Sequence, residues 1–259
     1  MTHEHRIAIP MPTTKDMEYN RRSWPMYAAA VEQAGGVAVV VDLTQSEAEI
    51  AAVARGCQGV LLPGSPADVD PRRYGREAVA ECAPADLQRE RADWLLLEEA
   101  YSCGKPVLGI CYGVQSLNTW RGGTLIQDLS CRPVNHSAGG SVAIAHSASI
   151  ESTGILSGLV DPSEGAQKAG EMRLPINSSH HQAIEQPGEG LIVAAVSSED
   201  GVIEAVEGTL NAAAPSFVLG VQWHPERSVA ISGTSRAIFR GFMEAVAAWE
   251  QLQRSQRAE

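Results

Sequence analysis

The segment Pro106-Val-Leu-Gly-Ile-Cys-Tyr-Gly-Val-Gln-Ser-Leu-Asn-Thr-Trp120 runs from a stretch of apolar residues, past two closely spaced glycines, into an amphipathic stretch. The apolar part predicts a buried strand over Pro106–Ile110, and Val114–Trp120 predicts a helix. Between them, Gly109-Ile-Cys-Tyr-Gly113 has the pattern of a nucleophile elbow, with cysteine where hydrolases place serine. Such a residue projects above the sheet at a helix N-terminus, where the helix dipole favours a thiolate. We predict that Cys111 is a nucleophile; the alternative is a buried structural cysteine.

Strands and helices alternate before this segment, as expected for crossover connections in a largely parallel sheet. Strands are predicted at Arg6–Ile9, Val37–Val41 and Gly59–Leu62, the second of them buried on both faces. Helices are predicted at Trp24–Ala34, from a Ser46 cap to Ala54, and at Leu87–Cys103 after an Asp86 cap.

The second half of the chain shows shorter strands separated by glycine-containing turns, which is typical of antiparallel pairing. The predicted strands are Arg173–Asn177, Leu191–Val196, Val202–Val206 and Phe217–Gln222, and a final helix covers Ser235–Arg254. The predicted fold is therefore an α/β, doubly wound, largely parallel sheet with flanking helices and additional antiparallel strands in the second half. No linker divides the sequence, so residues 1–259 are predicted to form a single domain.

Composition and charge exclude several classes of protein. The 259 residues are 44% hydrophobic, and 31 acidic against 20 basic residues give a net charge of -11, which disfavours nucleic acids and anionic membranes as partners. No apolar run approaches the roughly 20 residues that cross a bilayer, and the N-terminus lacks a signal-peptide pattern, so we expect a cytoplasmic protein. The five cysteines are irregularly spaced and contain no Cys-x-x-Cys pair, so no disulfide framework or cysteine zinc site is expected.

A second motif, Gly220-Val-Gln-Trp-His-Pro-Glu226, follows the last predicted strand. A thiol nucleophile needs a base, and the base needs an acceptor that orients it. Residues two apart on an extended chain point the same way, so His224 and Glu226 can lie side by side with His224 facing Cys111. In isolation this motif could equally be a surface turn.

A third motif, Leu61-Leu-Pro-Gly-Ser-Pro66, follows the Gly59–Leu62 strand. A glycine-containing turn at this place can present backbone N–H groups to a developing oxyanion, although alone it is merely a turn. All three motifs follow predicted parallel strands and would meet at one carboxyl edge of the sheet, where α/β proteins bind ligands.

In this order, Pro-Gly-Ser-Pro, Gly-Ile-Cys-Tyr-Gly-Val-Gln and Gly-Val-Gln-Trp-His-Pro-Glu make the chain resemble the class I glutamine amidotransferase superfamily, which has a flavodoxin-like fold. Within it the sequence is most similar to the γ-glutamyl hydrolase branch, the peptidase C26 group that includes γ-glutamyl-γ-aminobutyrate hydrolases. The segment Leu62–Val69 and the stretch Ile176-Asn-Ser-Ser-His-His-Gln182 carry this narrower resemblance. The similarity spans roughly residues 6 to 245.

The resemblance implies a role for ten residues. Cys111 would be the nucleophile, His224 the base and Glu226 its orienting carboxylate. The oxyanion would be held by the backbone N–H of Tyr112 and that of Gly64 or Ser65. Residues matching the family's substrate contacts are Gln115, Asn177, Ser179 and His180.

The implied reaction is hydrolysis of a γ-glutamyl amide through a γ-glutamyl thioester on Cys111, with a small-molecule substrate and neither metal nor organic cofactor. Two departures leave the substrate open: Tyr112 stands where the branch usually has arginine, and Arg89-Glu-x-x-Asp93 reverses its two acids. One alternative is a glutaminase subunit that supplies ammonia to a synthase partner, and another is a non-catalytic binding or redox-sensing protein. The oligomeric state and the roles of His136, His146 and His181 stay open; adjacency on a strand argues against a metal pair of His180 and His181.

Overall fold

A twelve-stranded mixed sheet organises the computed structural model, which describes residues 4–168, 171–209, 215 and 217–258. Ten strands lie in the order β2-β1-β3-β4-β12-β11-β10-β6-β8-β7, and β5 and β9 pair beside them. The strands are β1 (His5–Pro10), β2 (Gly36–Val41), β3 (Gly59–Leu62), β4 (Val107–Ile110), β5 (Thr124–Ile126), β6 (His146–Ile150), β7 (Ala166–Lys168), β8 (Glu171–Ile176), β9 (Ala183–Gln186), β10 (Leu191–Ser197), β11 (Ile203–Gly208) and β12 (Val218–Val221).

The predicted fold class is confirmed. Strands β2, β1, β3, β4 and β12 are parallel, and chain progression reverses direction at β1, as in a doubly wound sheet. Strands β11, β10, β6, β8 and β7 continue the sheet in antiparallel pairs. The helices are α1 (Met17–Gln33), α2 (Glu47–Arg55), α3 (Leu87–Cys103), α4 (Tyr112–Trp120) and α5 (Gly233–Ala258).

Helices cover both faces of the parallel half. Because side chains alternate along a strand, Ile7 and Ile9 of β1 belong to the same apolar cluster as Phe242 of α5. Ala8 belongs to a second cluster with Leu96 of α3 on the opposite face. No helix in the described ranges is long and apolar enough to cross a membrane.

Three details of the predicted secondary structure are wrong. Helix α1 begins at Met17 instead of Trp24, because Asp16 accepts a hydrogen bond from the Tyr19 N–H and caps it there. Strand β2 is an edge strand and is not buried on both faces, since Val40 is 42% exposed. Strands β5, β6, β7 and β9 were not predicted.

Candidate active site

Three loops converge at the carboxyl edge of the parallel strands, following β3, β4 and β12. Gly64 in the first loop marks their meeting point. A Cβ atom built on Gly64 would lie 3.0 Å from Cε1 of His224 and 3.6 Å from Cβ of Cys111. The fold thus brings together the three motifs that are far apart in sequence.

Cys111 occupies the sharp turn between β4 and α4. Its φ of 54° and ψ of -109° make it the one non-glycine residue with positive φ in the described part of the chain. Such a conformation is costly for an L-residue and concentrates at functional sites. Gly113 permits the turn, because a Cβ there would overlap the carbonyl of Leu62. The Cys111 side chain therefore sits at the N-terminus of α4, as the elbow pattern predicts.

His224 and Glu226 form a buried pair directly after β12. Nδ1 of His224 lies 2.7 Å from Oε1 of Glu226, and the two residues are 1% and 4% exposed. Burial alone would lower the pKa of His224, but the Glu226 carboxylate and the nearby Cys111 raise it to about 9. The Glu226 contact occupies Nδ1 and leaves Nε2 available for proton transfer.

Asn177 contacts the backbone of His224. Its Nδ2 donates to the His224 carbonyl and its Oδ1 accepts from the His224 N–H, both at 2.9 Å. Asn177 does not line the cavity beside Cys111. Both ends of this amide therefore hold the backbone of His224, and the predicted substrate contact of Asn177 stays a prediction.

The backbone donors near Cys111 are not equivalent. The Gly64 N–H donates to the Tyr27 hydroxyl at 3.0 Å. The N–H groups of Ser65 and Tyr112 make no hydrogen bond within the described residues. Of the predicted oxyanion donors, Ser65 and Tyr112 are thus available and Gly64 is occupied. Sequence reasoning did not identify this role of Tyr27, because the pairing spans 37 positions.

A cavity of about 310 Å³ opens beside Cys111. Five other predicted residues also line it, and His224 and Glu226 are not among its lining residues. The complete lining is Ser65, Pro66, Ala67, Asp68, Cys111, Tyr112, Gln115, Ser137, Ser179, His180, His181 and Gln182. The lining is mostly polar side chains and backbone, which suits a small polar ligand.

Gln115 lies in this wall with its amide nitrogen already engaged. Nε2 donates to the Gln182 carbonyl at 3.0 Å and to Oε1 of Gln222 at 3.2 Å. The side-chain oxygen Oε1 of Gln115 makes no hydrogen bond within the described ranges and is available to accept one from a ligand.

Asp68 and His181 add charge to the cavity wall. Neither was predicted as a site residue: Asp68 lies in the family-like segment Leu62–Val69, and the role of His181 was open. Oδ1 of Asp68 lies 3.0 Å from Nε2 of His181, and this contact raises the pKa of His181. Oδ2 of Asp68 accepts from the Ala83 N–H at 2.7 Å. The carboxylate is therefore fixed at the cavity.

The side chains of His180 and His181 have different partners. Nδ1 of His180 faces the Gln182 carbonyl at 2.9 Å, and burial lowers the pKa of His180 far below its usual value, so the ring is neutral.

One group in the described part of the chain could hold a metal ion, and it consists of His136, His146 and Glu204.

Arg89 links the loop after β3 to α4. Its guanidinium donates to the carbonyls of Pro12 and Pro63 and pairs with Asp93 at 2.7 Å, with both side chains fully buried. The Arg89 guanidinium also lies 4.7 Å from the ring centre of Tyr112. Asp93, the second acid of the reversed pair, thus keeps Arg89 in place beside the candidate site.

The sequence and the fold of this chain are similar to those of several known proteins. The sequence profile of the family Peptidase C26 matches residues 7–226. A Mycobacterium tuberculosis protein provisionally named as a glutamine amidotransferase, Rv2859c, is 35% identical to this chain over 78% of the chain's length. The match spans 62% of the length of that relative. Gamma-glutamyl-gamma-aminobutyrate hydrolase of Escherichia coli O157:H7 is 30% identical over 85% of this chain and 84% of its own.

A solved structure shares the fold. The glutaminase domain of Trypanosoma brucei CTPS superimposes with a TM-score of 0.61, over 94% of each chain at 16% identity. Together with the family match, this likeness confirms the class I glutamine amidotransferase fold expected from the three motifs. The chain belongs to the peptidase C26 family.

Proposed function

We propose that the protein hydrolyses γ-glutamyl amides, with Cys111 as nucleophile, His224 as acid and base, and Glu226 as the group that orients His224. The observation that carries the proposal is the placement of a conformationally strained cysteine next to a buried histidine–carboxylate pair. A nucleophile, a base and an orienting acceptor together are the requirement for covalent acyl transfer.

In the proposed first half-reaction, the proton of Cys111 resides on His224. The thiolate attacks the γ-carbonyl carbon and forms a C–S bond, and the carbonyl oxygen becomes an oxyanion. The Ser65 and Tyr112 N–H groups, which have no other partner in the described part of the chain, supply its hydrogen bonds. The C–N bond then breaks as His224 gives its proton to the departing amine.

In the second half-reaction, His224 takes a proton from water, and the resulting hydroxide attacks the thioester carbon. The C–S bond breaks, glutamate leaves, and Cys111 is a thiolate again with the proton on His224. No step requires a metal or an organic cofactor.

The polar lining of the cavity suits a glutamyl group. The Asp68 carboxylate offers a partner for an α-ammonium group, and Oε1 of the Gln115 side chain offers a second acceptor. The named activity of the Escherichia coli relative, a gamma-glutamyl-gamma-aminobutyrate hydrolase, points to the same bond. The substrate we propose is therefore a γ-glutamyl group on a small amine.

The second candidate is a glutaminase that passes ammonia to a synthase, as the name of the Mycobacterium tuberculosis relative would suggest. Tyr112 favours it, since the γ-glutamyl hydrolase branch usually has arginine after the nucleophile. The two candidates share the chemistry at Cys111 and differ in the leaving group.

The experiment is a turnover panel on the purified full chain without any partner. Glutamate release is measured from γ-glutamyl-γ-aminobutyrate, other γ-glutamyl amines and glutamine, for the wild type, Cys111→Ala and the exposed-cysteine control Cys103→Ala. We expect turnover of γ-glutamyl amines by the wild type and Cys103→Ala, and none by Cys111→Ala. Turnover of glutamine alone, or of no γ-glutamyl compound, overturns the proposal, as does full activity of Cys111→Ala.

A further inference from the structure

A buried cluster of three histidines and one carboxylate lies next to the Cys111 cavity. His136 precedes β6, His146 begins it, His180 follows β8 and Glu204 lies in β11. Their side chains are at most 2% exposed. Four separate parts of the chain thus place their titratable groups around one interior point.

The facing atoms have the spacing of metal ligands. Oε1 of Glu204 lies 3.2 Å from Nδ1 of His136 and 3.4 Å from Nε2 of His146, and Oε2 lies 3.8 Å from Nε2 of His180. Ligand atoms around a tetrahedral zinc ion with bonds near 2.0 Å are about 3.3 Å apart. The ligand atoms of His136, His146 and Glu204 all lie within 4.8 Å of one another, so these three residues leave room for one ion, with His180 at its side.

These inward-facing atoms lack hydrogen bonds. Nδ1 of His136, Nε2 of His146, Nε2 of His180 and both oxygens of Glu204 make none within the described residues. Oε1 of Glu204 lies within ion-pair distance of His136 and His146, but no contact among these atoms has the geometry of a hydrogen bond. Buried polar atoms are costly without well-formed hydrogen bonds. A cation among His136, His146 and Glu204 would give these three side chains a shared partner.

The outward-facing nitrogens have partners of the kind that metal-binding histidines use. Nε2 of His136 lies 3.0 Å from a carboxylate oxygen of Asp200, and Nδ1 of His180 lies 2.9 Å from the Gln182 carbonyl. Nδ1 of His146 faces the Ser147 carbonyl at 3.5 Å. An acceptor on one ring nitrogen keeps the hydrogen there and directs the other nitrogen's lone pair inward.

We propose that His136, His146 and Glu204 bind a divalent transition-metal ion beside His180, with zinc as the best fit. Two imidazoles and a carboxylate suit zinc, whereas calcium and magnesium prefer all-oxygen sets. Because His180 lies next to this set and lines the cavity, the ion would brace the cavity wall and take no part in the chemistry at Cys111.

The test measures metal content and folding stability, so its outcome is independent of γ-glutamyl hydrolysis. The full chain is purified without a chelator, and bound metal is quantified by mass spectrometry for the wild type, Glu204→Gln, His146→Gln and the control His5→Gln, a histidine outside the cluster. We expect one equivalent in the wild type and His5→Gln and at least a tenfold loss of metal in the cluster variants. Equal metal in all four proteins, or no binding after zinc is added, overturns the proposal.

A spectroscopic measurement on the wild type covers the case in which the cluster variants do not fold. Cobalt(II) replaces zinc in the wild type and in Cys111→Ala. We expect the visible bands of a four-coordinate ion without a sulfur-to-cobalt charge-transfer band in both proteins, and a higher Tm with metal than after chelation. A sulfur-to-cobalt band, or a Tm that metal does not change, contradicts the assignment.

Discussion

Both polar atoms of the Asn177 side chain are bonded to the backbone of His224, each at 2.9 Å. The contact joins the end of β8 to the turn after β12. Under the proposed mechanism Asn177 is therefore a positioning residue that fixes the candidate base.

Replacing Asn177 is expected to lower kcat. Asn177→Ala removes both bonds, and a small displacement of His224 is expected to reduce kcat on the order of 10²-fold. KM stays near the wild-type value, because no substrate contact is lost. Steady-state kinetics with a γ-glutamyl amide measures both, and Asn177→Asp, which keeps one acceptor, should be intermediate. A raised KM with unchanged kcat would identify Asn177 as a substrate ligand instead.

Gly64→Ala tests the junction of the three loops. The new Cβ would lie 2.9 Å from the Tyr27 hydroxyl and 3.0 Å from Cε1 of His224, so the imidazole must move. We expect a loss of kcat on the order of 10²-fold, comparable to the loss of an oxyanion donor. Gly158→Ala is the matched control, because a Cβ there meets nothing within 4 Å. Equal activity of the two variants would show that the junction is not tightly packed.

The raised pKa of His224 makes stability depend on pH. The folded protein holds this proton up to about pH 9, whereas the usual value is 6.5. The stabilising contribution is fully present below about pH 6.5 and is lost as the pH rises to about 9. Glu226→Gln removes the carboxylate that raises the pKa and should flatten this dependence. Urea unfolding between pH 6 and 10 measures it, and identical curves for the two proteins would contradict the assignment.

Arg89→Met should strongly destabilise the fold. It leaves the Asp93 carboxyl buried without its cation, which costs about 3–5 kcal/mol of the free energy of unfolding. The double variant Arg89→Met with Asp93→Leu should recover part of that loss, because no unpaired charge remains although the Pro12 and Pro63 carbonyls still lack their donor. Arg21→Met is the surface control, since its pair with Glu18 is exposed and worth at most about 1 kcal/mol. Chemical denaturation measures all three; no recovery in the double variant would contradict this explanation.

The sequence predicted the elements whose ends carry local signals. Ser46 and Glu49 form the expected capping box of α2, and α3 runs from the Asp86 cap to Gly104 as predicted. These signals act over three or four residues, so they can be recognised without knowledge of the fold. The elbow at Cys111 was predictable for the same reason.

Contacts between distant segments were not predictable. The Tyr27–Gly64 bond, the Asn177 bonds to His224 and the surroundings of Glu204 each depend on the sheet order. The sequence shows that these residues are polar and lie near strands, but not which of them meet. Strands β5 and β9 are three and four residues long and carry too little periodicity to be recognised.

The most direct test of the proposed mechanism is a rapid-quench reaction of the full chain with a γ-glutamyl amide. The account predicts a burst of amine of up to one equivalent and one γ-glutamyl group attached to the peptide that contains Cys111. His224→Ala should form neither. Glutamate release with no adduct on Cys111, or with the adduct on another residue, would contradict the account.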